Sequence, residues 1–127
     1  MSFNVQKVFP QLRITDYERS KAFYLVGLGF QIDWEHRFAP GLPIFLRITR
    51  EGLSLFLTQH SGDCQVGGAA YFFVPDVDSW YRDFTRQGVR IESPPQDASY
   101  NVREMCVVDP DGNRLRFGTP LAHPPSP

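Results

Sequence analysis

Two stretches of this chain carry the same punctuation at the same distance. Asp16 and Asp76, each closing an apolar run and opening a helical pattern, stand 60 residues apart, and so do Gly52 and Gly112 in later turns. Gly29 and Gly88 are 59 apart, so one residue is lost and later regained. Spacing that agrees at both ends of so long a unit marks a duplication, and a duplicated unit must bury its apolar face against its twin. The expectation is one domain over 1–120, with half-repeats at about 5–60 and 67–119. A flexible tail follows over 121–127, since three of its last five residues are proline.

Each half reads as a strand, a helix and three strands. Residues 5–14 alternate, with Val8, Pro10, Leu12 and Ile14 on one face and Phe9, Gln11 and Arg13 on the other. Pro10 has no amide to donate, so this strand belongs at an edge. Thr15 and Glu18 form a capping box. The helix it opens would turn Ala22, Phe23 and Val26 to the core and end near Gly27 and Gly29. A strand over 30–38, a turn over 39–43 and a hairpin of 44–49 with 53–58 complete the half. The second half repeats this: strand 69–74, helix 76–87 closed by Gly88, strand 89–93, loop 94–100. Its last hairpin, 102–108 with 114–118, turns at Asp109-Pro110-Asp111-Gly112-Asn113. The fold class is α+β: two βαβββ modules in tandem, forming a curved mixed sheet around a cleft with helices outside.

Composition narrows the function. The 127 residues are 42% hydrophobic and 21% charged, with formal net charge -1 and no basic stripe, which argues against nucleic acid. Apolar runs are strand-sized, too short for a membrane span, and the first ten residues lack a signal peptide's apolar region. Cys64 and Cys106 fit a reduced, cytoplasmic protein better than a disulfide scaffold. Eleven Phe, five Tyr and two Trp exceed the needs of a small core, so some of that aromatic surface is expected to line a pocket.

Among polar residues, His60 ends a strand before a Gly-containing loop and reads either as a surface histidine or as a group at a cleft mouth. His36 and Trp34 share a strand face, which suits an aromatic ligand or partial exposure equally. His36 and His60 with Glu35 or Asp63 are the one set that could hold a metal at a new place. Arg116 needs a carboxylate, either Glu104 on the neighbouring strand or an anionic ligand group. Asp109, Asp111 and Asn113 read as turn residues and Cys106 as a buried, inert thiol. No phosphate loop, Ser-His-Asp order or close carboxylate pair is visible, and no catalytic residue is assigned.

The opening Thr15-Asp-Tyr-Glu-Arg-Ser-Lys-Ala-Phe-Tyr24, with Gly27-Leu-Gly-Phe30, resembles the vicinal oxygen chelate superfamily, as does Val108-Asp-Pro-Asp-Gly-Asn-Arg-Leu-Arg-Phe117. This group includes glyoxalase I, extradiol dioxygenases, and fosfomycin- and bleomycin-resistance proteins. The likeness runs from about Val8 to Phe117, and Pro10 resembles the bleomycin-resistance branch, where it accompanies arm exchange between subunits of a dimer. The resemblance implies four metal-ligand positions, seven residues before each helix-opening Asp and four after each hairpin Gly. Here they hold Phe9, Ala69, Phe56 and Arg116. Phe and Ala have no donor atom and Arg would repel a cation, so neither metal nor other cofactor is expected.

The expected function is therefore metal-independent sequestration of a small aromatic molecule or antibiotic by a homodimer. Its ligand-binding residues would be Phe9, Trp34, Phe56, His60, Tyr71, Phe73, Tyr100 and Arg116. Bleomycin is cationic, whereas this chain is near neutral and offers Arg116, so a planar and partly anionic ligand is expected before bleomycin itself. The alternative is an enzyme of the superfamily, of lyase, isomerase or dioxygenase type, with a non-standard metal site.

Overall fold

The computed structural model describes residues 6–121. The expected tail lies outside the described residues, apart from Leu121. The elements run β1 (Gln11–Arg13), α1 (Tyr17–Lys21, continuing as a wider π-helical turn over Ala22–Gly27), β2 (Gln31–His36), β3 (Phe45–Arg50) and β4 (Leu53–Thr58). The second half follows with β5 (Ala69–Phe73), α2 (Val77–Arg86), β6 (Ile91–Asp97), β7 (Val102–Val108) and β8 (Arg114–Pro120). Two βαβββ modules in tandem are thus present.

Each half closes its own ladder, in the order β1-β4-β3-β2 and β5-β8-β7-β6. The first strand of each half pairs parallel with the last, β1 with β4 and β5 with β8, and the other pairs are antiparallel. The mixed sheet is therefore two four-stranded sheets, which share one core. Leu12, Ile14, Leu46, Ile48, Leu55 and Leu57 from the first half meet Phe72, Met105, Val107, Leu115 and Phe117 from the second. Alternation leaves the other face of each sheet free to carry different chemistry.

Several local expectations change. The first strand is three residues long, because Pro10 offers only its carbonyl, which accepts from the Phe56 amide at 2.9 Å. Asp16, not Thr15, caps α1, accepting from the Arg19 amide at 3.0 Å. Thr15 instead donates its hydroxyl to Asp111 at 2.5 Å. The core face of this helix is Ser20, Tyr24 and Leu28, while Ala22 and Val26 are exposed. A tyrosine can take the buried place because Asp109 accepts its hydroxyl at 2.7 Å. In the second half, β6 runs through Pro94 and Pro95, which the sequence reading assigned to a loop. It is an edge strand, and its register slips between Ser93 and Gln96, where the prolines supply no donors.

The Asp109–Asn113 turn does more than reverse the chain. Asp109 also accepts from the Asp111 and Asn113 amides at 2.9 and 2.8 Å. Asn113 donates to the Arg13 carbonyl and accepts from the Gly68 amide, both at 2.8 Å. With Thr15 held on Asp111, the turn of the second half fastens the first strand and helix of the first.

Candidate functional site

The outer face of the first sheet is a platform of rings. Residues alternating outward on β3 and β4 include Phe45, Arg47 and Phe56, with Arg47 opposite Phe56 and Phe45 opposite Thr58 across the ladder. Trp34 joins them through a bulge. Ile32 pairs with Ile48 and Trp34 with Arg47, so Asp33 is the extra residue and the strand changes faces there. Without it Trp34 would share the core-facing side of Ile32. Asp33 is held by the Thr49 hydroxyl and lies 3.1 Å from Arg47 Nε. Trp34 then stacks on Phe45 at 5.7 Å and meets Phe56 at 5.9 Å, while Phe45 meets Phe56 at 5.1 Å and Phe9 meets Phe56 at 5.3 Å. The Arg47 guanidinium sits 5.4 Å over the Phe9 ring. Sequence reasoning brought Phe9, Trp34 and Phe56 together. It missed Phe45 and Arg47, although their period-2 relation to Phe56 across the hairpin was available.

At one end of the platform His36, Phe38, Phe45, His60 and Asp63 line a cavity of about 290 Å³. Phe38 meets the two imidazoles edge-on, at 4.7 Å from His36 and 5.9 Å from His60. His60 Nε2 is buried and has no hydrogen-bond partner among the described residues. Asp63 is not its partner, because it accepts from the Thr58 hydroxyl at 2.7 Å.

The second sheet presents a different face. Tyr71 and Phe73 alternate outward on β5, 5.3 Å apart, beside Arg116 and Gly118 of β8. Tyr71 lies over Gly118 and donates to Glu104 at 2.7 Å, and Tyr100 donates to the same oxygen at 2.5 Å. Burial and this bond to Glu104 push the Tyr71 phenol up; for Tyr100 the bond comes first and desolvation second. Glu104 is thus shared by two tyrosines and makes no ion pair with Arg116, the protein partner that the sequence suggested. Of the eight expected ligand residues, Phe9, Trp34 and Phe56 cluster on one sheet with His60 at the end of their platform. Tyr71, Phe73, Tyr100 and Arg116 gather on the other. No ring contact joins the two sets among the described residues.

A wider recess, about 650 Å³, lies elsewhere, between the end of α1, the β3–β4 hairpin and α2. Its charges answer one another. Arg50 reaches Asp83 at 2.7 Å and Glu51 at 3.1 Å, and Arg86 reaches Asp83 at 3.2 Å. We read it as a joint between the halves. A metal centre does not fit the four positions that such folds use, since Phe9, Phe56, Ala69 and Arg116 supply no lone pair. No three of His, Cys, Asp and Glu converge to hold a cation among the described residues. Both cysteines are free.

This duplicated architecture, with two βαβββ halves each closing a four-stranded sheet, defines a class of proteins built from paired modules. The chain belongs to the glyoxalase superfamily: the family model described as "Glyoxalase superfamily protein" matches residues 1–122. A relative from Bacillus subtilis (strain 168), described as uncharacterized protein YraH, is 28% identical over 84% of this chain and 92% of its own. Among solved structures, a bleomycin resistance determinant encoded on the transposon Tn5 superposes with a TM-score of 0.74. It is 23% identical, covering 91% of this chain and 98% of that one. A bleomycin-binding protein complexed with bleomycin gives 0.72, at 23% identity over 91% and 98% of the two chains. At these identities the structures speak for the fold. No helix is long and apolar enough to cross a membrane among the described residues.

Proposed function

We propose that this protein binds an aromatic small molecule and removes it from solution without changing it. The observation that carries this reading is the ring platform of Phe9, Trp34, Phe45 and Phe56, with centroids 5.1 to 5.9 Å apart and Trp34 41% exposed. Rings that complete a core are covered by it, whereas these lie on the outer face, where a planar ligand can stack. Structural relatives described as bleomycin-binding and antibiotic-binding support the same kind of task. Bleomycin itself is not the proposed ligand, because each sheet sets an arginine among its rings, Arg47 over Phe9 on the first and Arg116 opposite Tyr71 on the second. The working form is a homodimer in the cytoplasm: the two ring sets share no ring contact among the described residues of one chain, so a pocket enclosing a ligand between them calls for a second copy.

The test is a thermal-shift screen of planar aromatic antibiotics, followed by titration and by mass spectrometry of the ligand recovered after denaturation. A ligand returned unchanged supports sequestration, and turnover overturns it. Trp34→Ala should weaken binding about tenfold, or about 1.4 kcal/mol, while costing less than about 1 kcal/mol of stability because the ring is half exposed.

One observation favours an enzyme instead, the unpartnered Nε2 of His60 beside His36. On that reading His60→Ala abolishes a turnover that the aromatic variants only reduce.

A further inference from the structure

We infer that the outer face of the second sheet carries an anion site, built by Arg114 and Arg116, that receives the carboxylate of an aromatic ligand. This deepens the sequestration reading and rests on it. Arg114 and Arg116 alternate on β8, so both project from the face that carries Tyr71 and Phe73. They line one cavity of about 270 Å³ with Ser93, Gln96, Cys106 and two carboxylates, Asp97 and Glu104. Across the ladders Arg116 stands between Cys106 of β7 and Tyr71 of β5.

Arg47, Arg50 and Arg103 each have a carboxylate within 3.1 Å, whereas Arg114 and Arg116 form no ion pair among the described residues. Arg13, Arg37 and Arg82 also lack an ion pair among the described residues, but only Arg114 and Arg116 combine that with a shared cavity beside exposed rings. The nearby carboxylates are committed elsewhere. Glu104 takes both tyrosine hydroxyls on one oxygen, and Asp97 is held by Arg103 at 3.1 Å. Arg114 points its Nη1 at the Cys106 sulfur, a weak acceptor, at 4.0 Å.

Arg114 is exposed and adds a second charge at the mouth, while Arg116 is half-buried, so without a partner it has lost part of its hydration and gained nothing in return. A carboxylate answers it with two parallel hydrogen bonds, which a planar fork accepts better than an ammonium would. The neighbouring rings set the rest of the ligand. Tyr71 and Phe73 are 41% and 59% exposed, so an aromatic ring can stack on β5 while its carboxylate turns toward β8. The carboxylate of Glu104, fixed in the cavity wall by Tyr71 and Tyr100, sets the orientation by repelling the anion toward the arginines.

The experiment compares 1-naphthoate, 1-naphthamide and 1-naphthylmethylamine by calorimetric titration against the wild type, Arg116→Gln and the Arg114→Gln/Arg116→Gln pair. We expect naphthoate to bind at least about tenfold tighter than the amide, the scale of one charge-assisted pair. The two should converge in the double variant, whose circular dichroism spectrum and thermal midpoint report a folded protein. Should the variants not fold, the Arg116 Nε–H resonance of the wild type must still move with naphthoate and stay with the amide. Equal or tighter binding of amide or amine, a carboxylate preference that survives in the double variant, or an unmoved Arg116 resonance overturns the anion site. If the amide binds without any carboxylate advantage, only this inference falls. If none of the three binds, the aromatic reading falls with it.

Discussion

Tyr24 is fully buried, and its hydroxyl reaches across to Asp109 on the other half of the molecule. Burial pushes its phenol well above the ordinary value of 10.0, with the Asp109 charge adding to the effect. The sign of the linkage follows. Above pH 10 the unfolded chain releases a proton that the folded chain keeps, so stability falls as pH rises through that range and is complete below it. Tyr24→Phe should cost about 1–2 kcal/mol at neutral pH for the lost bond. It should also flatten the decline between pH 9 and 11, as urea unfolding at a series of pH values would read. A decline as steep in the variant as in the wild type would assign the effect to other tyrosines. That residue was legible only as an aromatic in a helix, because a sequence does not say which distant carboxylate will make a buried hydroxyl tolerable. Val26, the more obvious core residue by hydropathy, is 65% exposed.

At the scale of elements, strand β8 depends on Gly118 for what its neighbours can do. A Cβ there would fall 2.8 Å from Val102 Cγ1 and would collide with the Tyr71 hydroxyl. Gly118→Ala should therefore lift Tyr71 away from Glu104 and cost about 1–3 kcal/mol, measured as a shift in the denaturant midpoint with unchanged slope. Retained stability would mean that Tyr71 swings aside freely. The hairpins and the helix of the second half were readable from Gly52, Asp76 and Gly88, since turns and caps are chemically local. The exchange of faces within β2 was not. It depends on one extra residue, Asp33, held by Thr49 and Arg47, and strict alternation over Ile32 and Trp34 points the indole the wrong way. For the same reason the ring platform was only partly foreseen, through Phe9, Trp34 and Phe56 but without Phe45.

Across the whole molecule, the duplication fixed the plan while the joint between the halves remained hidden. Arg50, in the first half, stacks 4.0 Å over Trp80 of α2, pairs with Asp83 and donates to the Leu28 carbonyl at 2.7 Å. Arg50→Met should cost about 2 kcal/mol, since Asp83 is partly solvated and the ion pair counts for less than its geometry suggests. Unfolding followed by tryptophan fluorescence and by circular dichroism should still coincide if the shared core keeps the halves cooperative; separate transitions would show Arg50 to be the main tie. The Asp109–Asn113 turn carries the same dependence into the order of synthesis. A ribosome delivers the first half well before this turn, and until then the Tyr24 hydroxyl and the Arg13 carbonyl lack the partners that the finished fold gives them. The early half would thus leave the exit tunnel complete in sequence but unfinished in structure, waiting on the last hairpin to close.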